Sequence, residues 1–190
     1  EDEKYKNVGT LQEPDFEAIN ALAPDLIIIS GRTSEAYEEL NKIAPTIYMA
    51  IDTARFMDSF KENMRTLGQI FGKEDAVEAE LAKIEQRIAE VNAAVKDNGK
   101  KALVVLTTGG KVSAYGPGSR FGMVHDVIGL APADENIEVS THGQNISFEY
   151  IAEKNPDYLI VIDRDAVVQN AEGAVPAKEV IENDLVKNTK

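Results

Sequence analysis

The stretch DFEAINALAPDLIIISGR at residues 15–32 returns without a gap as SFEYIAEKNPDYLIVIDR at residues 147–164. Both copies begin with a residue that favours a helix N-cap, Asp or Ser, and continue with apolar residues at helical spacing. A proline ends the helix, and the apolar, β-branched run after it is typical of a parallel strand covered on both faces. Each copy ends in an arginine. The repeat therefore predicts an α/β protein with two similar lobes.

Three arginines stand where a ligand site of an α/β protein is expected. Arg32 and Arg164 directly follow predicted strands, and ligands of open α/β sheets bind beside the carboxyl ends of the strands. Arg120 follows a glycine-rich loop at 116–119. Each arginine alone is compatible with an ordinary surface position, but recurrence at one repeat position favours a function. Because guanidinium groups are permanently charged, fork-shaped donors, the three predict a cleft for a bulky, oxygen-rich anion.

A long amphipathic helix is predicted between the two copies. Apolar residues alternate at spacings of four and three from Val77 to Val95, and charged residues fill the other face. A helix over residues 73–96 would be about 35 Å long, which suits a connection between two lobes; a coiled-coil helix is the alternative. We therefore predict a segment truncated at both ends, with a partial N-terminal lobe (1–72), an interlobe helix (73–99) and a partial C-terminal lobe (100–190).

Composition limits the classes of function. The 190 residues are 43% hydrophobic, carry a net charge of −13 and include no cysteine. The lack of cysteine excludes disulfides, thiolate catalysis and cysteine-based metal sites. The acidic balance argues against a nucleic-acid partner, because phosphate binding needs clustered Lys and Arg. No run approaches the roughly 18 apolar residues of a membrane span.

The sequence carries no standard catalytic signature. The loop at 116–122 superficially suggests a phosphate loop, but its third glycine comes one place late for G-x-G-x-x-G and no G-K-[ST] follows. A nucleophile elbow, a zinc-protease motif and a calcium loop are also missing from the sequence. We therefore predict that the chain is not an enzyme.

Two histidines and two glutamates complete the set of candidate residues. His125 lies in a helix predicted over 121–128, where we expect a surface or boundary position. His142 lies in a loop, where a neutral imidazole could ligate a metal or simply be solvated. Glu17 and Glu149 share one repeat position in the first helical turn. They either support the helix N-terminus or form matched acidic contacts for a two-fold partner.

These residues resemble those of bacterial class III substrate-binding proteins of siderophore ABC transporters. Within that family, the segments ending at Arg32, Arg120 and Arg164 match the arginine triad of the subgroup that binds petrobactin and enterochelin, and His142 matches its iron-ligating histidine. The spacings of 88, 22 and 22 residues between Arg32, Arg120, His142 and Arg164 fit this subgroup. The resemblance implies two Rossmann-like lobes bridged by one long α-helix, the class III periplasmic-binding-protein fold.

The resemblance also implies a function. The chain would be the extracytoplasmic solute-binding component of an iron–siderophore importer, either periplasmic or lipid-anchored to the outer face of the cell membrane. Its ligand would be an anionic ferric catecholate, petrobactin-like or enterobactin-like, held between the lobes by the arginine triad while His142 completes the coordination of iron(III). Glu17 and Glu149 match the positions that dock on the permease subunits. We expect a monomer with no intrinsic cofactor and no nucleic-acid partner, and any lipid anchor would lie outside this segment.

Three alternatives remain open at this point. A cobalamin or haem carrier on the same fold is the first, although an arginine triad suits an anionic chelate better. An α/β enzyme acting on an anionic substrate is the second, but it would lack a nucleophile or a base other than His142. A manganese or zinc carrier is the third, and two histidines in dissimilar contexts argue against it.

Overall fold

The computed structural model describes residues 4–96, 98–168 and 173–189. These residues fall into two compact units, a first unit of Glu1–Ile51 and a second unit of Asp52–Lys190.

The first unit is a small α/β arrangement around two parallel strands. Strand β1 (Ile27–Ile29) pairs with β2 (Thr46–Tyr48), and Ile19, Ile29 and Leu40 form the buried core beside them. Ile28, the middle residue of β1, is 47% exposed. The prediction that this strand is covered on both faces is therefore wrong. The elements of the first unit are α1 (Phe16–Leu22), β1 (Ile27–Ile29), a 3-10 helix (Gly31–Ala36), α2 (Tyr37–Ile43) and β2 (Thr46–Tyr48).

The helices of the two repeat copies have the same bounds. Helix α1 spans Phe16–Leu22 and α6 spans Phe148–Lys154, each seven residues long. The predicted N-caps are confirmed: the side chains of Asp15 and Ser147 accept the N–H groups three residues on, at 2.9 and 3.3 Å. Both helices end at a left-handed residue before the proline, with φ of 45° in one copy and 42° in the other. The repeat is therefore one of local structure as well as of sequence.

Two longer helices form a hairpin at the start of the second unit. After a 3-10 turn (Thr53–Arg55), helix α3 (Phe56–Phe71) ends at the left-handed Gly72, and α4 (Glu74–Val95) follows as one continuous helix. Gly68 allows close packing, because an added Cβ would lie 3.1 Å from Cγ2 of Val77. Two exposed ion pairs also join the helices. The amphipathic helix predicted over residues 73–96 is observed as α4, and α3 packs on it within the second unit. The division into two partial lobes, 1–72 and 100–190, joined by this helix stays a prediction.

The second unit continues with a five-stranded mixed sheet built around β3. Strand β3 (Lys101–Thr108) pairs with β4 (Lys111–Tyr115) in an antiparallel hairpin and with β7 (Tyr158–Asp163) in parallel. The parallel pairing runs from Ala102 opposite Tyr158 to Thr107 opposite Asp163. The predicted hairpin and repeat strand are confirmed. The elements are β3 (Lys101–Thr108), β4 (Lys111–Tyr115), α5 (Met123–Asp126), β5 (Ala131–Pro132), β6 (Gln144–Ile146), α6, β7 (Tyr158–Asp163), α7 (Ala177–Ile181) and α8 (Asp184–Lys187).

Both faces of strand β3 are covered. Leu103 and Val105 of β3 face a core that includes Ile151 of α6 and residues of α7 and α8. The alternate residues Val104 and Leu106 face a second core with Tyr115 and side chains near α5. A continuous apolar run is therefore needed in β3, because successive side chains enter different cores.

Two parts of the second unit differ from the sequence-based prediction. The helix predicted over 121–128 is reduced to Met123–Asp126, because the chain before it is held in turns whose N–H groups bond to Gly116 and Ser119. Strand β6 was not predicted, because its sequence, Gln144–Ile146, has no apolar run. It forms because it pairs with β4 at the sheet edge.

Candidate functional site

Arg32 lies just after β1, as predicted. The chain turns from the strand into the 3-10 helix at Ser30, whose carbonyl accepts both the N–H and the hydroxyl of Thr33. Met49, after the parallel strand β2, donates its N–H to the Ile29 carbonyl at 2.8 Å. Arg32 is exposed and lines a cavity of about 590 Å³ in the first unit, together with Thr10, Leu11, Met49 and the other residues of 28–33. The described residues of this unit give its guanidinium no hydrogen bond or ion pair.

Arg164 lies just after β7, at the carboxyl ends of the parallel strands β3 and β7. Its N–H donates to the Thr107 carbonyl at 3.3 Å, which extends the strand pairing by one residue. Its guanidinium donates from Nη1 to Oγ1 of Thr108 at 3.1 Å. The side chain is otherwise exposed, so most of its donors face solvent. The Arg164 guanidinium is therefore an exposed cation that Thr108 holds beside the carboxyl ends of β3 and β7.

Two aspartates that the sequence analysis missed flank Arg164 and shape its loop. The carboxylate of Asp163 accepts the N–H groups of Ala166 and Ala177 at 3.0 and 2.9 Å. Asp165 accepts the N–H groups of Gly109 and Val175 at 2.7 and 3.1 Å, and these bonds lower the pKa of its carboxyl group. The only sequence signal for them is the order Asp163-Arg164-Asp165. Acidic residues beside an arginine suggest ion pairs with it, and not the hydrogen bonds to backbone N–H groups that are observed.

Arg120 lies in a loop held by short bonds to its glycines. Buried Ser119 donates its hydroxyl to the Gly116 carbonyl at 2.5 Å, and Asp126 accepts the Gly118 N–H at 2.6 Å. The Arg120 guanidinium lies 5.0 Å from the centre of the Phe121 ring, a cation–π distance. The loop therefore presents an exposed guanidinium on an aromatic support.

Tyr115 links the loops of Arg120 and His142. Its ring meets that of Phe121 edge-on at 4.9 Å. Gly143 also approaches this ring so closely that an added Cβ would lie 2.7 Å from Cζ of Tyr115. Burial raises the pKa of the Tyr115 hydroxyl. His142 precedes Gly143 in an exposed turn, so the Arg120 and His142 loops both contact one buried ring.

The second unit thus has two groups of candidate residues. The first group is Arg164, which contacts Thr108 at the end of β3. The second group consists of Arg120 and His142 around Tyr115, which pairs with Val104, four positions before Thr108 on β3. Among the residues described, no three His, Asp or Glu side chains cluster as they would around a metal ion. Nor does any described helix have the length and apolar character needed to span a membrane.

The prediction that His125 lies at the surface or at its boundary is wrong, because the residue is buried. The residue is 8% exposed, and its Nδ1 lies 2.8 Å from the Leu130 carbonyl. That carbonyl can only accept, so Nδ1 carries the proton. Nε2 has no partner within the described part of the chain. His125 is a core residue that closes the turn after α5.

Glu17 and Glu149 are exposed in the first turns of α1 and α6. Hydrogen bonds from its own backbone N–H and from the Ser147 hydroxyl lower the pKa of the Glu149 carboxyl group. These bonds are those of a carboxylate that supports a helix N-terminus, and both interpretations of Glu149 stay open. Exposure leaves both carboxylates accessible to a partner.

Comparison with known proteins decides the family. The sequence profile described as periplasmic binding protein matches residues 1–190, the whole chain. The chain belongs to the periplasmic binding protein family. This is a family of binding proteins, which confirms that the chain is not an enzyme.

Individual relatives agree with this assignment. The petrobactin-binding protein YclQ of Bacillus subtilis is 54% identical over 98% of the chain, and its crystal structure superposes with a TM-score of 0.92. The ferric-anguibactin-binding protein FatB of Vibrio anguillarum is 39% identical over 99% of the chain. The catecholate-siderophore-binding protein VctP of Vibrio cholerae is 39% identical and superposes over 98% of the chain with a TM-score of 0.91.

These similarities confirm the predicted class III fold. The chain spans 58% of the length of YclQ, 61% of FatB and 67% of the solved VctP chain.

Proposed function

We propose that this chain is the ligand-binding part of an extracytoplasmic component of an iron–siderophore ABC importer. The observation that carries the proposal is the pair of exposed arginines at matching repeat positions, Arg32 and Arg164, on a periplasmic-binding-protein fold. Relatives named for petrobactin, anguibactin and catecholate siderophores support a ferric siderophore as cargo. Periplasmic or lipid-anchored placement follows from this role.

The proposed ligand is an anionic ferric catecholate. Catecholate oxygens leave the ferric complex with a large negative charge, and permanently charged guanidinium groups offset such a charge with directed hydrogen bonds. We propose that Arg32, Arg120 and Arg164 all contribute to this recognition. The fixed geometries of Arg164 on Thr108 and of Arg120 on Phe121 support it, because little side-chain freedom would be lost on binding.

His142 is proposed as a ligand of the siderophore-bound iron(III). Its exposure in a turn braced by the Ser140 hydroxyl, which donates to the Gly143 carbonyl at 3.0 Å, supports an accessible imidazole. Iron(III) here is cargo that arrives with the siderophore. His142→Ala should therefore weaken binding of ferric complexes that leave iron positions open, and should leave binding of a hexadentate complex nearly unchanged.

The ligand class is tested by isothermal titration with four compounds: ferric petrobactin, ferric enterobactin, a ferric hydroxamate and cobalamin. The proposal expects binding of at least one catecholate, with weaker binding of the hydroxamate and cobalamin. Preference for cobalamin would identify the corrin carrier instead. Binding of none of the four would contradict the siderophore assignment and leave only the fold.

Glu17 and Glu149 are proposed as the contacts with the two permease subunits. Their matching positions and their exposure support a two-fold arrangement of carboxylates. The double substitution Glu17→Gln and Glu149→Gln should leave ligand affinity unchanged and reduce iron uptake in cells. Glu153→Gln, an exposed glutamate on the same helix as Glu149, is the matched control. Uptake at the wild-type rate in the double variant would contradict the docking role.

A further inference from the structure

The Thr108 hydroxyl lies between a carboxylate and a guanidinium. Its oxygen is 2.9 Å from Oδ1 of Asp165 and 3.1 Å from Nη1 of Arg164. Arginine offers only donors, so the Thr108 oxygen must accept from Nη1, and its single proton must point to Asp165. The chemistry of the three groups therefore fixes the direction of both hydrogen bonds.

Asp165 is itself held in place by the backbone. Its second carboxylate oxygen, Oδ2, accepts the N–H groups of Gly109 and Val175. Gly109 belongs to the turn between β3 and β4, so Asp165 joins that turn to the loop that carries Arg164. The orientation of the Thr108 hydroxyl is thus set by a carboxylate that has little freedom to move.

Thr108 occupies only one of the hydrogen-bond donors of the Arg164 guanidinium. A direct carboxylate pair would occupy two parallel guanidinium donors and offset the charge. Instead, within the described residues, the guanidinium makes one side-chain hydrogen bond, to a neutral hydroxyl, and no ion pair within 4.0 Å. The charge and the remaining donors of Arg164 stay available to an incoming anion.

We propose that Thr108 is a positioning residue for Arg164, which it holds through a hydroxyl oriented by Asp165. The inference rests on the proposed function, in which Arg164 binds the anionic ferric siderophore. Thr108 itself need not touch the ligand. Its contribution is to reduce the number of conformations that Arg164 must give up on binding.

The neighbouring Thr107 offers a matched control. It is fully buried on the opposite face of β3, and its hydroxyl has no partner among the residues described. Thr107→Val and Thr108→Val therefore make the same chemical change one position apart, and β-branching is kept in both. Only the second removes a hydrogen bond to Arg164.

Titration of ferric petrobactin into a set of variants tests the inference. Thr108→Val should weaken binding about 3- to 10-fold, as expected when one long side chain is no longer ordered before the ligand binds. Thr108→Ser should restore most of the affinity, and Thr107→Val should leave it unchanged. In an Arg164→Ala background, Thr108→Val should have no further effect, because residues that act through one another are not additive. Melting temperatures confirm that each variant is folded.

The outcomes separate this inference from the function on which it rests. If Arg164→Ala weakens binding but Thr108→Val does not, the inference is overturned and the proposed function stands. An equal loss from Thr108→Val with and without Arg164 would also overturn it, because that loss would be structural. If Arg164→Ala leaves the affinity unchanged, the role proposed for Arg164 fails and the inference fails with it.

Discussion

The two repeat copies share their local structure and differ in what surrounds it. Helices α1 and α6 have matching bounds, N-caps and left-handed ends, yet Ile19 is 8% exposed in the first unit whereas its counterpart Ile151 is fully buried. Strand β1 has one parallel partner, and β7 joins a five-stranded sheet. Sequence pattern therefore sets the helix–turn–strand geometry, and the neighbouring elements set how much of it is buried.

A polar anchor is present in only one copy. Asp134 accepts hydrogen bonds from the Tyr150 hydroxyl at 2.8 Å and from Lys154 Nζ at 2.9 Å. In α1 the corresponding residues are Ala18 and Leu22, which have no polar side-chain atoms. The second copy has thus gained a tertiary connection that the first cannot make.

The arginines differ in the same way. Arg164 is held by Thr108, whereas the described residues of the first unit leave the Arg32 guanidinium without a hydrogen bond. The same repeat position therefore carries a guanidinium with a side-chain hydrogen bond in one copy and, among the described residues of the first unit, one without such a bond in the other. The comparison predicts that mutations of matched residues will have unequal effects.

The largest expected difference is between the two buried isoleucines. Ile151→Ala should lower the free energy of unfolding by about 4 kcal/mol, because the residue is fully buried in the larger core. Ile19→Ala should cost about 2 kcal/mol, since its core is smaller and part of the side chain is exposed. Urea unfolding of both variants measures the difference. Equal losses would show that the surroundings of the two copies are energetically alike.

The Asp134 anchor should give the second copy a pH-dependent stability. The bond from Lys154, followed by those from the Asn136 N–H and the Tyr150 hydroxyl, lowers the pKa of the Asp134 carboxyl group to about 2. The folded state therefore favours the ionised form, and the stabilisation is present above pH 4 and lost as pH falls toward 2. This pKa shift stabilises the folded state by about 2 kcal/mol at neutral pH.

Asp134→Asn tests this anchor. The variant should be about 2 kcal/mol less stable than the wild type at pH 7, and the difference should shrink steadily between pH 4 and pH 2. Denaturant unfolding at several pH values provides the measurement. A difference that stays constant over that range would mean that the ionised carboxylate is not what stabilises the fold.

The smallest expected effect is at the left-handed end of the first helix. Ala23 has a φ of 45°, a conformation that costs a residue with a Cβ about 1 kcal/mol or more. Ala23→Gly should therefore raise stability by about 0.5 kcal/mol after the greater entropy loss of glycine. Ala21→Gly, at an exposed position inside the same helix, should instead lower stability by about 1 kcal/mol. Thermal unfolding should show the two glycines acting in opposite directions.

Local signals made much of the fold predictable. The N-caps at Asp15 and Ser147, the stop at Gly72 and the periodicity of α4 are all encoded within a few residues of where they act. Strand β6 depends on a distant partner, the edge of β4, and the burial of His125 depends on how the short helix α5 packs in the folded chain. Such features leave no periodic pattern in the sequence.

The candidate site was predictable to a similar degree. Repetition singled out Arg32 and Arg164, but nothing in the sequence connects Thr108 with Arg164, because the two meet only when β3 and β7 pair. Asp165 was hidden for the same reason, since its partners lie in the β3–β4 turn and before α7. Residues that support a site through tertiary contacts are thus the ones that sequence reasoning misses.

The most direct test of the account is a titration of ferric petrobactin into the wild type, Arg32→Ala, Arg164→Ala and the control Arg87→Ala. Arg87 is an exposed helical arginine whose ion pair with Glu90 lies on α4. If the repeated arginines bind the anion, Arg32→Ala and Arg164→Ala should each bind at least about 10-fold more weakly, and the control should keep wild-type affinity. Unchanged affinity in both Arg32→Ala and Arg164→Ala would contradict the claim that the repeated arginines bind the anionic ligand.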